Sequence, residues 1–390
     1  MSAHAEAFQP LHGAPGLDDP SLSLPRTVRA MAGEAGYDVD LDDLNAALGL
    51  SWMVCAVPGE ADIDSWMMYA RDAFLIPAGR LFGMEIREIH PPEAARGLDA
   101  AAEFDQHFDA SYRPLILRAL EHDQPVLAWQ GWPSERRLWW GIIQAACVEG
   151  VGFRGVTISD GARGERTETH ILQKPPIQLY VVETIRPAQP DADELLELAL
   201  DHARRVLGNE VGDRFGVVTG PAAYGEWIAR IGSPVRPASV SEARLEVQSS
   251  KHEKATPRGG TETGDVLRTS NFELRPSAPR PVACAPGSDQ TPAAENTPRT
   301  QVHLRLAASV MACHQSGIRF LERQLERTSG GHRTRMERLL QCSEDIRHAL
   351  DELVGAGDPS ATLLRARAAT ERLLAELHVS TDQTPQQPGH

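Results

Sequence analysis

Four of the seven tryptophans, Trp129, Trp132, Trp139 and Trp140, fall within one short stretch of the chain, with Arg136 and Arg137 between them. The stretch runs Pro125-Val-Leu-Ala-Trp-Gln-Gly-Trp-Pro133, crosses the polar segment 134–137, and resumes as Leu138-Trp-Trp-Gly-Ile-Ile143. Two apolar β-type runs joined by a short polar loop read as a hairpin. Side chains alternate between the two faces of a strand, so four indoles on adjacent strands are not expected to share one core. At least one tryptophan, together with both arginines, is expected at a surface or a cleft. There an indole can stack on a planar or apolar ligand while a guanidinium holds an anion. The competing reading is packing, because aromatic side chains bury large areas and anchor small sheets.

The remaining reactive side chains are dispersed. Cys147 lies in Gln144-Ala-Ala-Cys-Val148, where a mid-strand thiol reads as buried, with a catalytic role as the alternative. Cys55 reads the same way. His90, His107, His122, His170 and His202 form no H-x-x-x-H or H-E-x-x-H pair, and no metal is expected. Cys313 and His314, or Cys342 and His348, could approach one another across helices, but helix packing accounts for them. The Gly150 to Gly152 stretch reads as a hairpin turn, since a phosphate loop needs a longer glycine run opening a helix.

The elements that must position these residues follow from local pattern. Residues 1–20, with Pro10, Gly13, Pro15, Gly16 and Pro20, read as a flexible arm. Ser23-Leu-Pro25 reads as a helix start with Ser23 as N-cap, and Gly36 as its stop. Asp40 to Leu48 predicts a second short helix and Ser65 to Phe74 a third. Phe104 to Glu121 predicts a helix that Pro114 must restart or kink. Met84 to Ile89 alternates as an extended segment. The runs beginning at Pro125, Trp140, Phe153 and Ile177 predict an antiparallel sheet of about four strands, with 160–174 as a polar loop. Asp193 to Leu207 predicts an amphipathic helix, and Gly220 to Ile231 a closing one.

Beyond 231 the composition changes. Residues 232–300 are rich in Pro, Ser, Thr, Ala and Gly, with Phe272 as their only aromatic, and read as a disordered linker. Residues 301–378 return to helical periodicity, with Leu304, Met311, Ile318 and Leu325 spaced by seven. Breaks at Ser329-Gly-Gly331 and Asp358-Pro359 predict a separate three-helix bundle, loosely tethered and a candidate for self-association. Residues 379–390 read as a polar tail.

The chain of 390 residues carries a net charge of -15. That argues against nucleic acid, whose binding needs a basic face to displace counterions. The acidic excess lies within residues 1–232. An odd count of five cysteines without a C-x-x-C pair argues against a disulfide framework or a zinc ribbon. No apolar run approaches a membrane span, and the first residues lack the n-region and h-region of a signal peptide. The expectation is a cytoplasmic protein with no cofactor.

Three features together resemble the N-terminal domain of the butirosin-biosynthesis acyltransferase family, a branch of the papain-like and C39-like cysteine-peptidase fold. They are Ser23 with the later Gly36-Tyr-Asp38 and Ala47-Leu-Gly-Leu-Ser51; Pro125-Val-Leu127 with Trp140-Gly-Ile-Ile143; and Gly220-Pro-Ala-Ala-Tyr-Gly-Glu-Trp227. The resemblance spans residues 20–231. It implies an α+β fold, a papain-like helical half plus an antiparallel sheet, followed here by the all-α bundle. It also implies a thiolate at a helix N-terminus, a histidine on the hairpin and an Asn or Asp orienting it. This chain departs at each place. Ser23 takes the nucleophile position, Trp140 (or Gly141, in a shifted register) takes the histidine's, and Asp160 falls near the orienting position. A serine without a base stays protonated. The expectation is a catalytically degenerate papain-like domain, at residues 21–231, that binds a small molecule or partner. The alternative is an acyltransferase or amide hydrolase using Ser23 or Cys147.

Overall fold

A computed structural model describes residues 22–56, 72–90, 101–133, 139–147, 152–161, 164–176, 178–210, 217–231, 299–353 and 358–379. The arm, the linker, the polar tail, Arg136, Arg137 and the start of the helix expected from Ser65 lie outside them.

The predicted hairpin forms. β3 (Val126–Trp129) and β4 (Trp140–Ala146) pair antiparallel with Trp129 opposite Trp140 and Leu127 opposite Ile142. They are the centre of a sheet ordered β2-β7-β3-β4-β5-β6. Its other strands are β2 (Met84–His90), β5 (Phe153–Gly161), β6 (Gly164–Ile171) and β7 (Gln178–Ile185), all antiparallel to their neighbours. The sheet is therefore wider than the four strands expected. The supposed loop at 160–174 contains β6, an edge strand whose polar sequence, Gly164-Glu-Arg-Thr-Glu-Thr-His-Ile171, hides it. An edge strand is paired on one side only and commonly carries charge that blunts its exposed edge, so it lacks an apolar signature.

Both faces of the central strands are covered. On one, Leu127, Trp129, Trp140, Ile142, Tyr180 and Val182 join an apolar cluster with Val28 and Met31 of α1 (Ser23–Glu34). The same cluster includes Leu44 of α2 (Leu41–Ala47), Phe74 of α3 (Asp72–Leu81) and Leu195 of α6 (Ala192–Leu207). On the other face, Val126, Ala128, Trp132, Trp139, Ile143, Leu179 and Val181 pack with Phe108 of α4 (Ala101–Ser111) and Ile116 of α5 (Arg113–Glu121). The break between α4 and α5 falls beside Pro114, where a missing N–H costs nothing only in a first turn. A second, two-stranded sheet joins β1 (Cys55–Ala56) to β8 (Val218–Thr219), just before α7 (Pro221–Ile231).

Three helices follow: α8 (Arg299–Arg327), α9 (Gly330–Glu352) and α10 (Pro359–His378). They form the predicted bundle, with Met311, Ile318, Leu339, Ile346, Leu363 and Leu373 buried. The bundle does not stand apart, however. Its apolar residues belong to the same cluster as α1, α2 and α6. α8 packs on α2 and on the 3-10 turn Leu50–Trp52, while α10 packs on α6 and α7. The physical reason is a seam of close contacts. Gly317 lies so near Ser51 that a Cβ there would meet the Ser51 Cβ at 3.0 Å. The Phe320 ring meets Trp52 edge-on at 6.3 Å.

Candidate functional site

α1 packs on β4 and β5. Its first residue, Ser23, is fully buried, and the N-cap is Leu22, which makes no side-chain cap. The expected capping role of Ser23 is therefore absent. Its Oγ instead accepts the backbone N–H of Trp140 at 3.2 Å. One turn on, the Thr27 hydroxyl donates to the Ser23 carbonyl at 2.7 Å and reaches the Trp140 carbonyl at 3.4 Å. Trp140 lies one residue before the first β4–β5 pair, Gly141 with Thr157. Two hydroxyls of α1 thus meet the backbone N–H and C=O of Trp140, as buried polar groups require.

This geometry brings together the nucleophile and histidine positions of the resemblance, Ser23 and Trp140, but joins them through a backbone N–H. Among the described residues no histidine hydrogen-bonds to Ser23. Asp160 lies on β5, its backbone opposite Glu165, and its carboxyl falls outside the described residues. Glu165 itself meets α1, with Arg29 at 3.3 Å and Arg26 at 3.9 Å. Cys147 is buried just past the far end of β4, its N–H donating to the Gly152 carbonyl at 2.9 Å, and its sulfur is disulfide-bonded, which corrects the expectation of a free thiol and removes it as a nucleophile. With β4 between them, at about 3.3 Å per residue, Cys147 and Ser23 belong to no common site.

The tryptophans correct the expectation of an open aromatic cleft. Trp129 and Trp140 are fully buried, and Trp132 and Trp139 are 3% exposed. Alternation does send them to opposite faces, as the strand period demands, but helices cover both faces. Trp132 returns over the sheet because Gln130 and Gly131 both take left-handed backbone angles, φ 66° and 83°. Its ring then lies against Gly141 and Gly155. A Cβ on either glycine would come within 2.5 Å and 2.8 Å of the indole.

Sequence reasoning missed a polar group beside Trp132. The Thr157 hydroxyl sits 2.9 Å from His170 Nε2, Glu168 Oε2 lies 3.7 Å from the same nitrogen, and the Trp132 ring is 6.5 Å from the imidazole. Thr157 is buried, while the His170 and Glu168 side chains keep 13% and 20% exposure. Cross-strand register explains the meeting: Thr157 faces Glu168, and His170 follows two residues on along the same face. That face is Trp132's, opposite to α1, so the sheet separates His170 from Ser23. Only the spacing of Glu168 and His170 hinted at the group, and without β6 the hint had no partner strand.

Two further histidines, His202 and His314, have structural surroundings. His202 Nδ1 lies 2.5 Å from the Ala47 carbonyl, and its ring meets Phe74 edge-on at 4.7 Å. Burial drives its pKa down to about 4. His314, on α8, is fully buried with neither ring nitrogen hydrogen-bonded, and burial likewise lowers its pKa to about 4. Cys313 and Cys342 are buried, whereas His348 is drawn to Arg347 at an exposed contact of 3.1 Å. Among the described residues no three His, Cys, Asp or Glu side chains converge as a metal site would require, and no helix is long and apolar enough to cross a membrane.

No protein-family model matches the sequence, and no curated protein matches it.

Proposed function

We propose that this chain is a catalytically degenerate papain-like domain acting as a binding or accessory protein for a small molecule or a protein partner. One observation carries the reading: the hydroxyl in the nucleophile position, Ser23 Oγ, is fully buried and accepts the Trp140 N–H. Serine attack needs an adjacent base to remove its proton. Here the neighbouring group is itself a donor. Since the tryptophans are buried, binding falls to the accessible polar face of β5 and β6, where Glu168 and His170 are part-exposed and the Arg166 side chain is 70% exposed.

The test uses a fluorophosphonate probe and activated acyl esters and amides. The expected result is no adduct on Ser23 and no turnover that Ser23→Ala removes. An adduct on Ser23, or turnover that depends on it, would sink the reading.

One contact favours a second reading, acyl transfer or amide hydrolysis: Thr157 Oγ1 against His170 Nε2, with Glu168 nearby. Turnover of acyl substrates that His170→Gln abolishes, with Ser23→Ala fully active, would select it.

A further inference from the structure

The two edges of the six-stranded sheet are built differently. β2 closes one edge, and its pairing with β7 slips twice, between Glu85 and Ile86 and between Glu88 and His90. Such bulges turn an edge away from any further strand. β6 closes the other edge, and its ladder with β5 runs without a slip through eight pairs, from Arg154 with Ile171 to Gly161 with Gly164. A regular edge of that length is a template for one more strand. Arg166, Thr167 and Thr169 are exposed along it, and among the described residues no strand lies beyond it.

Charge on an edge repels most strands, so the order of the charges decides which strand is accepted. Alternation puts Arg166 and Glu168 on one face, where they meet at 3.0 Å. Glu165, Thr167 and Thr169 share the other face, where Arg29 holds Glu165 at 3.3 Å. A second β6 can be laid antiparallel with its faces matched to those of the first. Two registers then leave only one residue of each strand unpaired. Centred on Glu168, the pairing sets glutamate against glutamate. Centred on Thr167, it sets each Arg166 against the partner's Glu168, and Thr167 against its own copy. The four charges alternate in sign around a square, and Glu165 faces the partner's Thr169, so no like charges are opposed. The edge is complementary to itself in one register.

We infer that β6 pairs with the β6 of a second copy of this chain, antiparallel and centred on Thr167, joining the two sheets edge to edge. The two-fold arrangement uses both β6 edges, and the bulged β2 edges stop further growth. Such an edge forms an interface at the small end of the range, so the dimer is weak and grows at high protein concentration. It sets two copies of the Glu168 and His170 face side by side, which goes beyond the proposed binding role and does not depend on it.

The experiment uses the full chain. Sedimentation velocity between about 10 µM and about 1 mM is expected to show a monomer–dimer equilibrium. Arg166→Glu and Glu168→Arg, each alone, should weaken association at least about tenfold, because each opposes like charges twice. Mixing the two variants should restore association as a one-to-one heterodimer. The register is read separately. Opposed Cα atoms lie about 4.5–5.5 Å apart, within disulfide reach. Thr167→Cys should therefore cross-link to its own copy under diamide. Thr169→Cys, also exposed but facing Glu165, should not exceed the background of the unaltered chain. Circular dichroism verifies that each variant folds. A chain that stays monomeric throughout overturns the inference and leaves the edge to some other polypeptide. So does a dimer that both charge changes leave intact, or equal cross-linking at 167 and 169, since another surface would then hold the copies. No readout involves a ligand, so failure here and failure of the binding role are told apart.

Discussion

Ser23 Oγ and the backbone N–H of Trp140 meet at 3.2 Å, joining the first residue of α1 to the first residue of β4. The contact is buried on both sides, and its loss takes an acceptor from a buried backbone donor. Ser23→Ala is expected to destabilise the fold by about 1–3 kcal/mol, the cost of taking a hydrogen-bond partner from a buried group. Urea unfolding measures it. Ser23→Thr, which keeps a hydroxyl, should recover part of that loss; equal destabilisation by both changes would argue that packing, not the hydrogen bond, sets the cost.

Gly141 and Gly155 are the floor on which Trp132 lies. A side chain at Gly155 would also meet the Ile142 carbonyl at 2.1 Å, and one at Gly141 the Val156 carbonyl at 2.5 Å. Those obstacles are backbone and cannot rotate away. Gly155→Ala and Gly141→Ala are each expected to cost upwards of about 3 kcal/mol or to abolish folding, at the severe end for overpacking. Thermal melts followed by tryptophan emission would show it. A melting temperature unchanged from wild type would mean that Trp132 does not rest there.

Acid should loosen the protein before its carboxylates titrate. His202 and His314 have folded-state pKa values lowered to about 4, below the ordinary 6.5, because burial disfavours the charged ring. The unfolded chain therefore binds more protons, and stability is full above 6.5 and is lost as pH falls toward 4. Each group contributes a loss of about 2 kcal/mol between pH 7 and pH 5. Denaturant midpoints at the two pH values test this. His314→Leu should flatten the dependence by about half; an unaltered slope would remove His314 from the account.

The Arg319–Asp42 clasp predicts a coupling. The Asp42 carboxyl pKa lies below its ordinary value: burial pushes it up, but hydrogen bonds from Arg319 and Ser316 and the charge of Arg319 outweigh that. Arg319→Ala takes two hydrogen bonds and a close charge from a carboxylate whose side chain is only 11% exposed, leaving it Ser316 and Arg323, while Arg319 itself is 45% exposed and partly screened. The expected cost is about 1–3 kcal/mol, between the surface and buried limits. A double-mutant cycle with Asp42→Ala should return a coupling of at least about 1 kcal/mol. Additive losses would mean that the clasp holds no energy of its own.

Much of the local structure was legible in the residues themselves. The apolar runs and polar loop around Trp129 and Trp140, the stop at Gly36, the restart at Pro114 and the amphipathic face of α6 all express short-range rules of period, cap and turn. The three C-terminal helices follow from the same rules, because a helix announces its buried face within a few turns. Tertiary structure alone decided the rest. Whether both faces of a sheet are covered depends on helices far away in sequence, so the burial of all four hairpin tryptophans could not be read from their alternation. β6 was invisible because an edge strand needs no apolar stripe, and with it went the meeting of Thr157, Glu168 and His170. Ser23 looked like a cap because its neighbours in sequence make it one. It serves Trp140 instead because only the folded chain brings that backbone N–H to its hydroxyl. The docking of α8 on α2 has the same origin: two arginines and three aspartates are ordinary surface charges until packing sets them face to face.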